Sequence, residues 1–331
     1  MLRPQRPIDM IWQSMTDSND YAIVVEALTK RYGDLHAVND VSFTVRKGEV
    51  FAFVGPNGAG KTTTVEIIET IRTPTSGRVS VLGMDVTKKK RDIVPRIGVL
   101  PQGFSSFDRI TVRESIQYYS RLFGCKNTDV DALMNLANLK DKSDVQFKKL
   151  SGGLKQRLGI AIALVNDPEV VFLDEPTTGL DPHARRAVWD VLLGLKSRGK
   201  TVFLTTHYME EADKLCDTIA IIDNGKIIVT GTPSDLKSAV GADSITLGFR
   251  DAETANRAET LLAEKIQTEK IQTNNEFIRL SIRDGERIMP DLLRLLDSNN
   301  LDVQSITLSR SSLDNVFLNY TGRSIREDEN R

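Results

Sequence analysis

The sequence predicts an α/β protein: a buried parallel sheet covered by helices, with an antiparallel β subdomain and a helical subdomain, followed by a small α+β domain. Three observations lead there. From Tyr21 to about Gly231, short β-branched runs alternate with longer amphipathic stretches, as parallel strands covered by helices require. The runs VFAFV (Val50 to Val54), VVFLD (Val170 to Asp174), TVFLTT (Thr201 to Thr206) and IAIID (Ile219 to Asp223) are apolar on both faces, which suits central strands of such a sheet. After about residue 240 the alternation restarts on a smaller scale.

Taken in order, residues 1–20 carry basic residues but no apolar segment with a cleavage site, and read as a loose extension rather than a secretory signal. YAIVVEAL and AVNDVSFTVRKGEV alternate more strictly and break at Gly33 and Gly48, predicting the antiparallel subdomain. Between Thr111 and Leu150 the chain is rich in Leu, Ala and charged residues, which predicts a helical insertion. The main domain is expected to span 21–239. In 240–331, SITLGF, DAETANRAETLLAEKI, NEFIRLSI, ERIMPDLLRLLDS and DVQSITLS read as strand, helix, strand, helix, strand, an order that suits a ferredoxin-like α+β domain.

Composition limits the function classes. The 331 residues carry 44 basic and 45 acidic side chains, a net charge of -1, so no general attraction to nucleic acid or an anionic membrane is built in. Apolar residues at 40% and charged residues at 27% are those of a folded globular protein. Cys125 and Cys216 form no CxxC pair, which fits a reducing compartment and argues against a disulfide framework or zinc site. The longest apolar candidate, Leu158 to Val165, is far too short to span a bilayer, so the chain is not expected to cross a membrane by itself.

The sharpest local signal is GPNGAGKT: Gly55, Pro56, Asn57, Gly58, Ala59, Gly60, Lys61 and Thr62, after VFAFV and before the helix-like stretch opened by Thr63. In such a loop backbone N–H groups surround phosphate oxygens, Lys61 neutralises the β- and γ-phosphates, and the Thr62 hydroxyl binds magnesium. A bare glycine turn capping a helix is the alternative. VVFLDEP ends a buried strand in Asp174, placed to hold the metal, and Glu175, placed to polarise the attacking water. LSGGLKQR, from Leu150 to Arg157, reads alone as a glycine turn with Ser151 as helix N-cap.

Together these motifs resemble the ATP-binding cassette (ABC) ATPases, over about Ile23 to Leu236. The resemblance implies that Ser151, Gly152 and Gly153 of the signature bind the γ-phosphate of ATP held by an opposite protomer, and that Tyr32 in KRYGDLHAV stacks on adenine. Gln102 in VLPQ matches the glutamine that senses magnesium and the membrane subunit, Asp181 in GLDP the D-loop, and His207 in LTTHYMEEAD the switch histidine at the γ-phosphate. Leu154 departs from the Gln that many members carry after LSGG. The ending SSLDNVFLNYTGRSIRE resembles the daunorubicin-type drug-resistance branch. The resemblance implies an ATP- and Mg2+-dependent homodimer at the cytoplasmic face of the cell membrane, exporting a drug-like or lipophilic substrate through separate transmembrane permease subunits, with no nucleic acid partner. In that reading Lys61, Gln102, Glu175 and His207 are catalytic, and Thr62, Gln102 and Asp174 hold the metal. The alternatives are a soluble ABC ATPase acting on ribosomes or DNA, which single-cassette architecture without heptads disfavours, and an importer ATPase.

Other residues carry weaker signals. His36 and His183 read as surface or helix-cap residues. Cys125 and Cys216 read as inert packing residues. KKKR, Lys88 to Arg91, reads as a solvated loop, with phospholipid or partner contact as its alternative.

Overall fold

The computed structural model describes residues 20–240, 243–268, 270–282, 285–309 and 312–321, so the expected extension, apart from Asp20, and the end of the chain lie outside the described residues. These residues divide into two compact units, one reaching Pro233 and the other starting at Ser234. The break falls ahead of the expected boundary at 239, and the helix Pro233–Val240 joins the second unit almost entirely.

The first unit contains two sheets. Strands β1 (Tyr21–Tyr32), β2 (Leu35–Arg46), β4 (Ser76–Val81) and β5 (Met84–Asp85) form an antiparallel sheet in the order β2-β1-β4-β5. Strands β3 (Val50–Val54), β6 (Ile97–Leu100), β7 (Val170–Asp174), β8 (Thr201–Thr206), β9 (Thr218–Asp223) and β10 (Lys226–Gly231) form a sheet in the order β10-β9-β3-β8-β7-β6. The pairs along β9-β3-β8-β7-β6 are parallel, and β10 closes the edge as an antiparallel hairpin with β9. Every residue of β3, β7 and β8 is buried, as runs apolar on both faces demand. Phe43 of β2 stacks on Phe51 at 5.3 Å, and Phe51 on Phe203 at 5.3 Å, so aromatic side chains join the two sheets into one core.

Helices cover this sheet. α1 (Lys61–Ile68) follows β3, α5 (Gly152–Ala163) precedes β7, α6 (Pro182–Ser197) precedes β8, and α7 (Met209–Leu215) precedes β9; the short α2 (Lys90–Ile93) lies before β6. The expected insertion holds α3 (Val112–Leu122) and α4 (Val130–Leu136). α3 starts in a capping box, with Thr111 accepting from the Glu114 N–H and Glu114 from the Thr111 N–H. Val112, Ile116, Met134, Phe147 and Leu158 make a core of their own there, with Leu154 packed against it.

The second unit begins with α8 (Pro233–Val240) and holds β11 (Asp243–Gly248), α9 (Ala252–Lys265), β12 (Lys270–Asn274), β13 (Phe277–Ile282), α10 (Gly285–Ser298), β14 (Ser305–Ser309) and α11 (Leu313–Thr321). Its four strands form an antiparallel sheet ordered β12-β13-β11-β14, which is the ferredoxin-like order. Leu247, Ile278 and Leu280 pack with Ala258, Leu262, Leu292 and Leu296 of α9 and α10. The sequence reading missed β12: KIQTN has one apolar residue and sits at the sheet edge, so hydrogen bonding to β13 specifies it more than burial does.

At the end of α1 the buried Glu69 carboxyl is raised to about 8, by burial first and then by the charges of Asp174 and Glu66. It binds its proton more tightly folded than unfolded, so its contribution to stability falls as pH rises from its ordinary 4.5 to about 8 and is flat above. Glu69→Gln is therefore expected to match the parent near pH 4 and exceed it near pH 8 by on the order of a few kcal/mol. Urea unfolding of both proteins across that range checks this, and parallel pH profiles refute it.

Candidate nucleotide site

The predicted loop lies at the C-terminal edge of the parallel sheet, between β3 and α1, where open α/β sheets bind ligands. Its shape is fixed from three sides. The Gly55 N–H donates to the Thr206 carbonyl at 3.3 Å, the Ala59 N–H to the Pro56 carbonyl at 3.2 Å, and the Gly225 N–H to the Ala59 carbonyl at 3.0 Å. Gly60 has φ 101°, and a Cβ there would stand 2.3 Å from the Ala37 carbonyl oxygen, so no other residue fits both the angle and the space. α1 starts directly after it, directing free N–H groups and the positive end of its dipole at the loop.

Lys61 is buried, and its ammonium donates to the carbonyls of Gly55 at 2.7 Å and Pro56 at 3.1 Å. It lies 3.5 Å from Glu175 Oε1. Burial pulls its pKa down, while Glu175 and Asp174 pull the other way.

Asp174 and Glu175 leave the end of β7 together. Thr205 on the neighbouring strand holds both: its hydroxyl donates to Asp174 Oδ1 and accepts the Glu175 N–H at 3.0 Å. Asp174 Oδ2 accepts from the Thr62 hydroxyl at 3.4 Å. Burial pushes the Asp174 carboxyl up, and the hydroxyls oppose it. Glu175 has φ 49°, a left-handed conformation costing a non-glycine residue about 1 kcal/mol. Its Oε2 accepts from Gln102 Nε2 at 3.1 Å and from the Thr178 hydroxyl at 3.0 Å, and lies 3.3 Å from His207 Nδ1. Burial would raise this carboxyl, but His207 and Lys61 together with Thr178 outweigh it and hold it at about 2.

The structure thus brings together Lys61, Thr62, Gln102, Asp174, Glu175 and His207. Gln102 was expected at the metal as well, yet its hydrogen bond goes to Glu175. A cleft of about 540 Å³ opens beside them, lined by Tyr32, Asn57, Gly58, Gly60, Thr62 and Thr63 among others. The Tyr32 ring is 40% exposed, with Lys30 Nζ 5.2 Å from its centroid.

Ser151, Gly152, Gly153 and Asp181 do not line that cleft. They form a patch of their own: a Cβ on Gly153 would meet Ala184 Cβ at 2.7 Å, and one on Gly152 would meet the Leu180 side chain at 3.3 Å. Asp181 caps α6, accepting the N–H groups of His183 and Ala184 at 2.9 Å. Ser151 stands at the N-cap of α5, but its side chain makes no capping hydrogen bond.

Sequence reasoning missed other residues. His36 lines the cleft with Leu35, Ala37, Asn224 and Gly225. Asn224-Gly225 is a two-residue hairpin turn with both residues at positive φ, a turn legible in DNGK although its place against the loop was not. Cys216 is buried with its thiol pushed well up, as a packing residue should be. In the basic run, Lys88 lies 3.6 Å from Asp85 and Lys89 3.8 Å from Asp92, all on the surface.

Comparison with known proteins agrees with this geometry. An ABC transporter family model matches residues 38–178, and a model of the C-terminal domain of DrrA1-3-like ATP-binding proteins matches 231–321. The daunorubicin resistance ATP-binding protein DrrA3 of Streptomyces coeruleorubidus is 37% identical, covering 94% of this chain and 99% of that one. The Nod factor export ATP-binding protein I of Ralstonia nicotianae is 38% identical, covering 92% and 94%. Among solved structures, the ADP conformation of an ATP-binding cassette of an ABC transporter is 26% identical with a TM-score of 0.59, covering 65% of this chain and 92% of that one. A bacterial Atm1-family ABC exporter with ATP bound is 28% identical with a TM-score of 0.60, covering 67% and 40%. The chain belongs to the ATP-binding proteins of ABC transporters, as an ATPase with a DrrA-like C-terminal domain.

Proposed function

We propose that this protein drives an exporter: two copies hydrolyse MgATP at the cytoplasmic face of the membrane, bound to separate permease subunits that move a drug-like or lipophilic substrate outward. One observation carries the direction of transport. Relatives aligned over 94% and 92% of the chain, C-terminal domain included, are named for daunorubicin resistance and Nod factor export. Among the described residues no helix is long and apolar enough to cross a membrane, and the relatives are named as ATP-binding proteins, which supports a cargo pathway in separate permease subunits.

The residues fit a magnesium ion that arrives with nucleotide. Thr62 and Asp174 offer hard oxygen donors side by side, and the described residues hold no cluster of three or more metal-ligating side chains. Thr62 and Asp174 would hold the ion, and few protein ligands of this kind suit Mg2+ bound together with phosphates. The ion would supply charge neutralisation at the β- and γ-phosphates. Lys61 adds a cation there, the N-terminus of α1 adds N–H donors, and Tyr32 adds a face for the adenine ring.

Glu175 receives the proton of the attacking water. A carboxylate held at about 2 is a weak base, and one cause of that low value is the charge of Lys61. As Lys61 turns from Glu175 to the phosphates, the carboxylate becomes more basic where the water must be polarised. His207 and Gln102 keep it aimed. Ser151, Gly152, Gly153 and Asp181 do not line the cleft of their own chain, which supports completion of each site by a second copy. A neighbouring apolar cleft, lined by Ile71, Val94, Pro101, Gly103, Phe104 and Phe123, continues from the Gln102 loop and takes the membrane subunit.

Glu175→Gln keeps the side chain's size and removes its charge. It is expected to bind MgATP, to lose at least about 100-fold in kcat, and to run as a dimer with MgATP and a monomer with MgADP in light scattering. Adding Ser151→Arg should abolish that dimer. Parent turnover in Glu175→Gln refutes the assignment of the base, and an inactive variant that never dimerises refutes the two-copy model.

Phe123 is 58% exposed in the apolar cleft. Phe123→Asp should leave the ATPase rate of the isolated chain within about twofold, since surface changes away from a site have small effects. It should also reduce recovery of membrane subunits in pull-downs from solubilised membranes. Recovery of ribosomes or other soluble partners by the parent sinks the transporter reading.

A further inference from the structure

Glu211 is fully buried on α7, the helix that follows His207, and none of the roles above uses it. A carboxyl in such a place is sustained only by hydrogen bonds, and its partners come from elements that carry the site. Oε1 accepts from the Thr177 hydroxyl at 2.9 Å and from Trp189 Nε1 at 3.0 Å. Thr177, itself fully buried, lies midway along the loop from Glu175 to Asp181, and Trp189 lies on α6, which Asp181 caps. The Glu211 N–H donates to the Tyr208 carbonyl at 3.1 Å, next to His207. Tyr208 is held on its other side by the Arg185 guanidinium of α6, 4.3 Å from its ring centroid, and its ring lies 4.1 Å from that of His207.

One carboxyl oxygen therefore ties the 175–181 loop and α6 to the turn that carries His207. The two tied segments meet again above it at Glu175 Oε2, where Thr178 donates at 3.0 Å and His207 Nδ1 stands at 3.3 Å. A shift of either segment changes that meeting without touching the phosphate loop.

We propose that Glu211 is a positioning residue for ATP hydrolysis, locking the 175–181 loop to the His207 turn so that Glu175 and His207 keep one register. The inference rests on the role given to Glu175 above. Burial pushes the Glu211 carboxyl up against the pull of Thr206, Thr177 and Trp189, and an amide of the same shape keeps the Oε1 acceptor that Thr177 and Trp189 use.

The test is steady-state ATP hydrolysis by the full chain with Glu211→Gln, Glu211→Ala, Thr177→Val and the Thr177→Val/Glu211→Ala pair, each with its thermal midpoint. Glu211→Gln, still able to accept both hydrogen bonds, should stay within about threefold of the parent kcat, whereas Glu211→Ala should lose at least about tenfold, as misplacement near a reacting group does. KM for MgATP should move less than about twofold in both, because the phosphate loop is untouched. Thr177→Val should lower kcat in the same way, and the double variant should be no worse than the poorer single one, since both break one link. The proposal is overturned if Glu211→Ala folds and keeps parent kcat, if its loss lies in KM, if Glu211→Gln is as impaired as Glu211→Ala, or if the pair adds. Should Glu211→Ala fail to fold, Thr177→Val carries the test, and parent kcat there overturns the proposal. Parent turnover in Glu175→Gln strikes the underlying reading instead, a result independent of these variants.

Discussion

Two carboxylates adjacent in the chain, each 8% exposed, impose the constraint around which the first unit is arranged. Side by side in a poorly solvated place, Asp174 and Glu175 disfavour each other's charge. The fold answers by separating their surroundings. Asp174 accepts hydrogen bonds from the hydroxyls of Thr205 and Thr62, and burial keeps its carboxyl above its ordinary value. Glu175 is turned by its left-handed backbone toward Lys61 and His207, and drops to about 2. Environments that push two acids apart in this way suit them to different work.

That division depends on strand order. β3 lies between β8 and β9 while β7 lies beyond β8, so the phosphate loop, the carboxylate pair and the His207 turn all emerge at the same edge of one sheet. Thr205 needs no long reach to hold both acids, because β7 and β8 pair in register with Asp174 opposite Thr205. Had β7 and β8 been separated, no single hydroxyl could bridge them. The aromatic core of Phe43, Phe51, Phe172 and Phe203 lies below this edge and gives the loops a rigid base, which polar contacts alone would not.

Whether an element is legible in the sequence depends on whether its signal is local. Central strands announce themselves by apolar runs, and the phosphate loop by glycines whose spacing is itself the mechanism. The ordered motifs name Lys61, Thr62, Gln102, Asp174, Glu175 and His207, side chains that the fold brings together. Other members of the site have no local signature: Thr205 and Thr177 are ordinary strand and loop threonines until pairing sets them against a carboxylate. His36 and Asn224 reach the cleft only because β2 and the β9-β10 turn both pack on the phosphate loop, the Asn39 N–H donating to the Gly225 carbonyl at 2.8 Å. The edge strand β12 escaped for the same reason, since its partner and not its composition makes it a strand. Ser151 shows the converse, a residue that looks locally like a cap but leaves its hydroxyl out of capping at the start of α5.

The charge balance of the cleft supports the proposal that substrate and metal come together. With Asp174 and Glu175 ionised and Lys61 the nearest cation, the buried set is already negative by one before any phosphate enters. Nucleotide alone would add several negative charges to it, with only Lys61 and the N-terminus of α1 in opposition. A divalent cation, which Thr62 and Asp174 would hold, would offset that charge locally. In the proposed mechanism Lys61 turns from Glu175 to phosphate. The lysine that helps to depress Glu175 is, in this proposal, the group that turns to phosphate, so substrate binding and activation of the base are one event. The remaining contacts of Glu175, to Gln102, Thr178 and His207, come from three different segments of the chain rather than one, which suits it to stay fixed while Lys61 moves as proposed.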